Sequence, residues 1–218
     1  MKNYEKIMNR DFEIMTKPII ERLQQLRNEG KDTATGIIGQ SLLKEDLFFC
    51  ASVNRCMHLI DGFIIMLNER NLTCAGALLR LQLDNCMRTY AAFIVENKED
   101  VIDCVLDGNR IDKLKSKDGH FLRDAYLKEQ LNKVDSRFAG VYNSMSGYIH
   151  FSDKAFYETV INSDKDMLEM GIGLSLPPKC NSVMVEVGHM FIHFVELHYK
   201  MLSAVVASKQ RFEQGLSE

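Results

Sequence analysis

Length, composition and charge limit what this chain can be. It has 218 residues, 46% of them hydrophobic, which is enough to bury a large core, and we expect a single domain over residues 1–218. Lysine and arginine number 27 against 30 aspartates and glutamates, so the formal net charge is -3. A chain without a global basic field does not bind nucleic acid or an anionic membrane with its whole surface. Any such contact has to be local.

The cysteines and the start of the chain predict a reduced, soluble protein. None of the cysteines forms a Cys-x-x-Cys pair or shows the spacing of a zinc finger, and most lie in apolar segments, so we predict buried, reduced thiols. Residues 1–10 carry too many charges for a secretory signal, and no run of about 18 uncharged apolar residues occurs. We therefore expect a cytoplasmic protein that does not associate with a membrane.

Hydrophobic periodicity predicts three long helices in the first half of the chain. Apolar residues recur every three or four positions over 3–29, with a bend expected before Pro18, and residues 30–40 are predicted to form a connector. The same periodicity predicts a second helix over 41–68 and a central helix over 71–95. Because the link between these two is short, they are expected to be antiparallel neighbours.

The second half of the chain is more varied. Shorter amphipathic helices are predicted over 99–106 and 121–131, and a further helix is predicted to end at His150. β-Branched and aromatic residues within 156–176, interrupted by a polar turn, predict a small β-hairpin. A last long helix is expected over 181–211.

Together these elements predict an all-α fold: an antiparallel bundle of long helices with shorter helices and one small β-hairpin. We divide the domain into an N-terminal helix and connector at 1–40, core helices at 41–153, a hairpin insertion at 154–179 and a C-terminal helix at 180–211. The four segments are expected to fold as one unit.

Three charged residues follow one stripe of the central helix. Arg80, Asp84 and Arg88 recur at a spacing of four, so they stack along one face of a helix that is otherwise mostly apolar. The stripe is either a catalytic site that faces a cleft or a salt-bridge ladder that fixes the register of neighbouring helices. Which of the two holds decides how the function is interpreted.

Two histidines are candidate acids or bases. His58 lies three residues before Asp61, and the two side chains can hydrogen-bond; the alternative is a purely structural histidine. His150 ends a predicted helix, where the helix dipole favours the protonated imidazole. In a catalytic site either histidine would transfer protons, an arginine of the stripe would stabilise phosphate charge, and Asp84 would orient one of them.

The most basic local segment is 110–120, which contains Lys113, Lys115 and Lys117. These lysines could contact the phosphates of RNA. No aromatic residue is interleaved with them, however, and charged loops of this kind more often face solvent alone.

A second polar stripe lies on the last helix. Glu186, His189, His193 and Glu196 fall at offsets of 0, 3, 7 and 10, which places four residues of metal-binding type on one face. A di-iron centre in a four-helix bundle needs a Glu-x-x-His motif on two helices, and this chain has one. A zinc-binding helix needs a glutamate beside its first histidine, which is missing here. We therefore favour no metal site and expect no cofactor; the stripe is better interpreted as the wet face of the helix or the lining of a polar groove.

Two short segments carry a resemblance to a known group of proteins. The order of long helices, the segment Leu-Leu-Arg80-Leu-Gln-Leu-Asp84 and the later segment Met-Ser-Gly-Tyr-Ile-His150-Phe-Ser resemble HEPN-like proteins of bacteria, which include abortive-infection proteins and toxin ribonucleases. The resemblance implies a helical bundle that acts on RNA phosphate, typically across a dimer. Active members carry a histidine four to six residues after an arginine, and no arginine of this chain has a histidine at that spacing.

Three hypotheses for function follow. The first is a HEPN-like, RNA-associated protein of a defence or toxin system, whose acid–base site would have to be assembled from residues distant in the sequence. The second is a non-catalytic helical interaction module that forms a homodimer. The third is a metal-dependent enzyme that uses the stripe of the last helix.

Overall fold

The computed structural model describes residues 2–164, 167–173 and 177–215. Eight α-helices and two short strands lie in this part of the chain, joined by loops and two single turns of 3-10 helix. Their bounds are α1 (Lys2–Ile38), α2 (Lys44–Asn68), α3 (Leu72–Ile94), α4 (Lys98–Leu106), α5 (Asp124–Val134), α6 (Phe138–Ile149), α7 (Asp153–Thr159), β1 (Val160–Asp164), β2 (Met167–Met170) and α8 (Asn181–Glu213). The predicted all-α bundle with a small hairpin is confirmed.

Four long helices enclose the core. α1 packs on α2, α2 on α3, α3 on α8, and α8 back on α1, so the four close into a bundle. The first three alternate in direction, as predicted, whereas the contacts Thr89 with His198 and Gln82 with Phe194 show that α8 runs in the same direction as α3. α6 packs on the outer face of α3, and α5 packs on both α3 and α6. The aromatic rings of Phe63 and Phe191 stack 4.0 Å apart at the centre.

The first helix is longer than predicted. Residues 30–40 were expected to form a connector, yet α1 continues through Pro18 and Gly30 as far as Ile38. The reason is packing: a Cβ on Gly30 would lie 2.5 Å from the hydroxyl of Tyr199, so the glycine lets α8 approach α1 closely. Ile37, two turns further along, is fully buried, so the apolar stripe of α1 continues past the glycine.

The central helix begins and ends where the sequence predicts. The side chain of Asn71 caps α3 by accepting a hydrogen bond of 2.9 Å from the backbone N–H of Cys74. Five residues after Asn71, Gly76 leaves room for the ring of Tyr148, which would lie 2.3 Å from a Cβ at that position. This close approach places α6 against α3, next to the charged stripe.

The hairpin is present but begins later than predicted. Residues 156–159 were expected to be extended; instead they belong to α7, because Ser152 caps a helical turn by accepting from the backbone N–H of Lys154. β1 and β2 then pair antiparallel, with Ser163 opposite Leu168, and the register is irregular between Val160 and Asn162. Residues 165–166 of the predicted turn and 174–176 of the predicted second strand lie outside the described residues.

All six cysteines are free thiols. Cys56, Cys86 and Cys180 are buried, Cys50 and Cys104 are half-buried, and Cys74 is exposed, so the prediction of burial is wrong for the last of these. Cys74 lies in the first turn of α3, directly after the helix begins.

Two helices, α2 and α8, are long and apolar enough to cross a membrane on length and composition alone. The core helix of a soluble protein passes the same test. Both helices line the core of the bundle here, so this property carries no conclusion about membranes.

Candidate functional site

The charged stripe of α3 is paired along its length. Asp84 Oδ1 lies 3.9 Å from Arg80 Nη1 and 3.3 Å from Arg88 Nη2, and Arg88 also donates to Asp124 of α5 over 2.6 Å. The side chains of Arg80 and Asp84 are 16% and 25% exposed. We call these four residues the arginine ladder. Its two positive and two negative charges neutralise each other locally.

Arg80 also joins α3 to α6. Its guanidinium carbon lies 3.7 Å from the ring centroid of Tyr142, and the same guanidinium donates a hydrogen bond to the Tyr142 hydroxyl. Burial raises the pKa of Tyr142, so this phenol stays protonated and neutral. Through Tyr142 and Asp124, the arginine ladder connects α3 with both α6 and α5.

The candidate histidines lie elsewhere. His150 follows α6 as its C-terminal capping residue and is exposed; it comes eight residues after Tyr142, or about 12 Å along a helix. His58 is exposed on α2, and its proposed partner Asp61 accepts instead from Arg27 of α1 over 2.6 Å. Among the described residues, the arginine ladder contacts itself and Tyr142, not either histidine.

The polar stripe of α8 is divided between different partners. Glu196 accepts two hydrogen bonds from Arg22 of α1, over 3.0 and 2.8 Å, whereas His193 faces the loop between α5 and α6. Glu186 and His189 are exposed. Within the described residues, no group of three or more His, Cys, Asp and Glu side chains is placed to hold a metal ion.

His193 forms a cluster with two residues that the sequence did not pair with it. Its Nε2 lies 2.5 Å from Asp135 Oδ2, and Arg137 binds the same carboxylate through two contacts, Nε to Oδ1 at 3.1 Å and Nη2 to Oδ2 at 3.0 Å. Arg137 Nη2 also lies 2.8 and 3.2 Å from the two imidazole nitrogens. We call these three residues the acid–base cluster.

Local structure holds this cluster in place. Asp135 caps the C-terminus of α5, and Arg137 immediately precedes α6, so a single residue separates them. The next residue, Phe138, is fully buried and meets the ring of Phe194 edge-on at 5.5 Å. Because Phe194 adjoins His193 on α8, the same apolar contact brings the loop and the histidine together.

The charges of the cluster define the proton positions on the imidazole. Hydrogen bonding to Arg137 and His193 lowers the pKa of Asp135 to about 2, so this carboxylate is ionised at neutral pH and can only accept. The proton of a neutral His193 therefore lies on Nε2, facing Asp135. Nδ1 is then the basic nitrogen, and it accepts from Arg137 at 3.2 Å.

The cluster is partly open to solvent. Side-chain exposure is 11% for Asp135, 24% for His193 and 52% for Arg137, so the guanidinium faces outward while the carboxylate is held inside. Arg137 Nη1 makes no hydrogen bond with a described residue. An anion can therefore reach the cluster from the side of Arg137.

A groove of about 270 Å³ lies between α6 and α8 beside the acid–base cluster. Its first lining residue on α6 is Gly140, three residues after Arg137, and its last on α8 is Met190, three residues before His193. About one helical turn therefore separates the groove from the cluster. Lys154 lies in its wall and donates to Ser144 over 3.3 Å, while Glu186 adds a carboxylate. The groove thus has one cation and one carboxylate in its wall, and Arg137 lies about one helical turn beyond it.

The lysines of 110–120 have an aromatic neighbour after all. Lys115 forms an antiparallel bridge with Phe121, and Lys115 Nζ and Arg123 Cζ each lie 5.2 Å from the centroid of the exposed Phe121 ring. Lys113 and Lys117 are exposed close by. This basic–aromatic surface lies at the start of α5, and the acid–base cluster lies at its end, about 17 Å further along.

Sequence reasoning had no means of finding the acid–base cluster. Asp135 and His193 are 58 residues apart, and His193 drew notice only as a metal ligand. The one available signal was the short polar link Asp-Ser-Arg between two predicted helices, which holds a carboxylate and a guanidinium two residues apart.

Comparison with protein-family models, with curated proteins and with solved structures found no match for this chain. The resemblance to HEPN-like proteins therefore stays a prediction, and the function has to be argued from the chain's own residues.

Proposed function

We propose that this protein is an RNA-associated protein that cleaves the phosphodiester backbone at the acid–base cluster, in the manner expected of a divergent HEPN-like ribonuclease. One observation carries the proposal: the imidazole of His193 lies within hydrogen-bonding distance of both a carboxylate and an exposed arginine. A histidine that Asp135 orients can act as a general acid or base, and Arg137 can offset the charge that develops on phosphate.

The reaction follows from these groups. His193 removes the proton of a ribose 2′-hydroxyl, the 2′-oxygen forms a bond to the adjacent phosphorus, and the bond from phosphorus to the 5′-oxygen breaks. The leaving 5′-oxygen takes a proton from a second acid, for which we propose His189, because it is exposed on the same face of α8 four residues earlier. The products are a 2′,3′-cyclic phosphate and a free 5′-hydroxyl.

The surroundings supply a path for the RNA strand. Lys154 lies in the wall of the groove and Arg137 lies about one helical turn beyond it, and phosphates are attracted to both. At the other end of α5, the exposed ring of Phe121 between Lys115 and Arg123 is suited to stacking on an unpaired base. We propose that single-stranded RNA runs from this surface to the acid–base cluster.

The test is cleavage and binding of a mixed RNA pool by the wild-type protein and by four variants. We expect His193→Ala to lose cleavage, with a fall in rate of about 10²-fold or more, because proton transfer by a positioned side chain contributes about this much. The matched control is His58→Ala, which removes another exposed histidine from a different helix and should cleave at the wild-type rate. Arg80→Ala and His150→Ala test the alternative site, predicted from the sequence, that combines an arginine of α3 with His150.

Two outcomes would contradict the proposal. One is a wild-type protein that neither binds nor cleaves RNA. The other is cleavage that His193→Ala leaves intact while Arg80→Ala or His150→Ala abolishes it, which would move the site to the arginine ladder.

A second candidate function is self-association as a homodimer. It is favoured by the apolar residues around the hairpin, where Phe151 is 97% exposed, Ile172 is 86% exposed and Met167 is 71% exposed. We call the exposed residues of this region the hairpin surface; it also includes Ile149, Phe156, Tyr157, Leu168 and Met170. So many large apolar side chains in one region are typical of a protein–protein contact.

Light scattering tests this second proposal directly. We expect a dimer for the wild-type protein and a monomer, or a dimer weakened by at least about tenfold, when Phe151→Ser and Ile172→Ser are combined. A comparable exposed pair on another face, Ile14→Ser with Ile65→Ser, serves as the control and should remain dimeric. A strictly monomeric wild-type protein at high concentration would contradict the proposal.

A further inference from the structure

A second cavity in the described part of the chain is separate from the acid–base cluster and from the groove beside it. It encloses about 730 Å³ at the end of the bundle where α2 begins and where α3 and α8 end, with α4 as its fourth wall. This volume falls within the range of small-molecule binding sites, which is about 300–1,000 Å³. No residue of the acid–base cluster lines it.

One side of the cavity is apolar. Phe49, Phe93, Ile102 and Val205 contribute large hydrophobic surfaces from four different helices. Phe49 is buried, and its ring lies 5.9 Å from that of Phe93. Such a wall is suited to an aliphatic chain or an aromatic ring.

The other side contains a buried ammonium group. Lys209 is 3% exposed, and its Nζ donates to Asp46 Oδ2 over 2.6 Å and to the carbonyl oxygen of Ser41. Asp46, which is 1% exposed, also accepts from the backbone N–H of Leu43 over 2.7 Å. An ammonium has three protons, so one proton of Lys209 is left without an acceptor among the described residues.

The rim of the cavity carries one cation with no carboxylate partner. Lys98 pairs with Glu45 over 2.8 Å, and Lys44 pairs with Asp103. Arg211, near the end of α8, contacts a backbone carbonyl of its own helix, and no carboxylate of the described residues lies within ion-pair distance. Four basic and three acidic side chains line the cavity, and a fourth carboxylate, Asp103, pairs with Lys44 from outside the lining.

We propose that this cavity binds a small amphipathic carboxylate, such as a medium-chain fatty acid or an arylalkanoic acid. The apolar part would lie against the wall of Phe49, Phe93 and Val205, and the carboxylate would accept from Arg211 and from the remaining proton of Lys209. The hydrophobic wall is then covered, the charge of Arg211 is balanced, and the third proton of Lys209 has an acceptor. The site is independent of the proposed action on RNA.

The experiment is calorimetric titration of the full chain with decanoate and with 1-decanol, which share a chain length and differ in the charged group. We expect one saturable site that binds decanoate about tenfold more tightly than 1-decanol, because a charge-assisted hydrogen bond is lost with the alcohol. Arg211→Gln should weaken decanoate binding by about five- to tenfold and leave 1-decanol unchanged.

A matched pair of variants tests the place of binding. Ala204→Trp puts an indole into the cavity and should abolish binding of both ligands, whereas Ala207→Trp puts one on the same helix outside the cavity and should bind like the wild type. Both alanines are exposed, so both variants should fold. Absence of saturable binding, equal affinity for acid and alcohol, an unchanged preference in Arg211→Gln, or wild-type binding by Ala204→Trp would each overturn the proposal.

Discussion

Two clusters of arginine and carboxylate flank helix α6, and they differ in what they can do. The arginine ladder on α3 contains two guanidinium groups and two carboxylates, and every member pairs with another. The acid–base cluster at the start of α6 adds an imidazole to an arginine and a carboxylate, and its guanidinium is half exposed. The first can hold helices together, and the second can also exchange a proton with a substrate.

Charge and regular spacing along a helix do not by themselves identify a functional site. The regular stripe Arg80, Asp84 and Arg88 looked more like an active site in the sequence than the pair Asp135 and Arg137. In the structure, the residues of the regular stripe pair with one another and with Asp124. The irregular pair meets His193, whose imidazole can both accept and donate a proton.

The largest expected effect is a loss of RNA cleavage when the acid–base cluster loses its arginine. Arg137→Ala should reduce the rate of RNA cleavage by about 10²–10³-fold, because it removes the cation that offsets phosphate charge in the transition state. Single-turnover kinetics on a defined RNA measures this, with circular dichroism to show that the variant is folded. An unchanged rate would exclude Arg137 from the site.

The next effect is on stability and comes from His198, the buried histidine on the same helix as His193. His198 lies five residues after His193 but is fully buried beside Thr89, with 3.1 Å between Thr89 Oγ1 and Nε2, and burial lowers its pKa to about 3. The unfolded chain therefore protonates this histidine below about pH 6.5, whereas the folded protein protonates it only near pH 3. Stability from this group is complete above pH 6.5 and is lost as the pH falls.

Urea unfolding at pH 7.0 and pH 5.0 measures this difference. The free energy of unfolding should be lower at pH 5.0 by about 2 kcal/mol, since each pH unit below 6.5 costs about 1.4 kcal/mol. His198→Gln should flatten the pH dependence in this range. If the free energy of unfolding of that variant depends on pH just as steeply, other groups cause the pH dependence.

A smaller effect is expected from the arginine ladder. Asp84→Ala removes the carboxylate between Arg80 and Arg88 and leaves two half-buried positive charges close together. We expect a loss of about 1–2 kcal/mol in the free energy of unfolding and an unchanged rate of RNA cleavage. Urea unfolding and the cleavage assay on one preparation test both parts; a large loss of activity at unchanged stability would make the ladder a functional site.

The smallest effect concerns the carboxylate in the groove. Glu186 lies in the groove wall and would repel a passing phosphate. Glu186→Gln should therefore strengthen RNA binding by about two- to threefold at low salt and leave the cleavage rate of bound RNA unchanged. Fluorescence anisotropy with a labelled RNA measures the affinity. Weaker binding would mean that Glu186 contacts the substrate favourably.

Much of the fold could be predicted from local sequence signals. The bounds of α3 follow from the capping residue Asn71 and from the apolar periodicity after it, both of which are local. α1 was predicted too short because Gly30 was interpreted as the end of a helix, whereas it serves as a contact point for Tyr199 of α8. That contact joins residues 169 positions apart in the sequence, so no local sequence pattern can predict it.

The candidate site was less predictable for the same reason. His193 was noticed because it lies on a polar stripe, but its partners Asp135 and Arg137 come from a loop more than 50 residues away. His198 was missed because it lies about 140° around the helix from His193, on the buried side, where an imidazole has to be neutral. The buried pair of Lys209 and Asp46 is likewise formed across 163 residues.

The central claim is that His193 acts on the 2′-hydroxyl of RNA, and one substrate tests it most directly. A DNA oligonucleotide with a single ribonucleotide offers one 2′-hydroxyl, so the proposed reaction can cut it at one place and leave a 2′,3′-cyclic phosphate there. We predict that the wild-type protein makes this cut and that His193→Ala does not. Cleavage at deoxynucleotides, or cleavage by His193→Ala at the wild-type rate, would contradict the account.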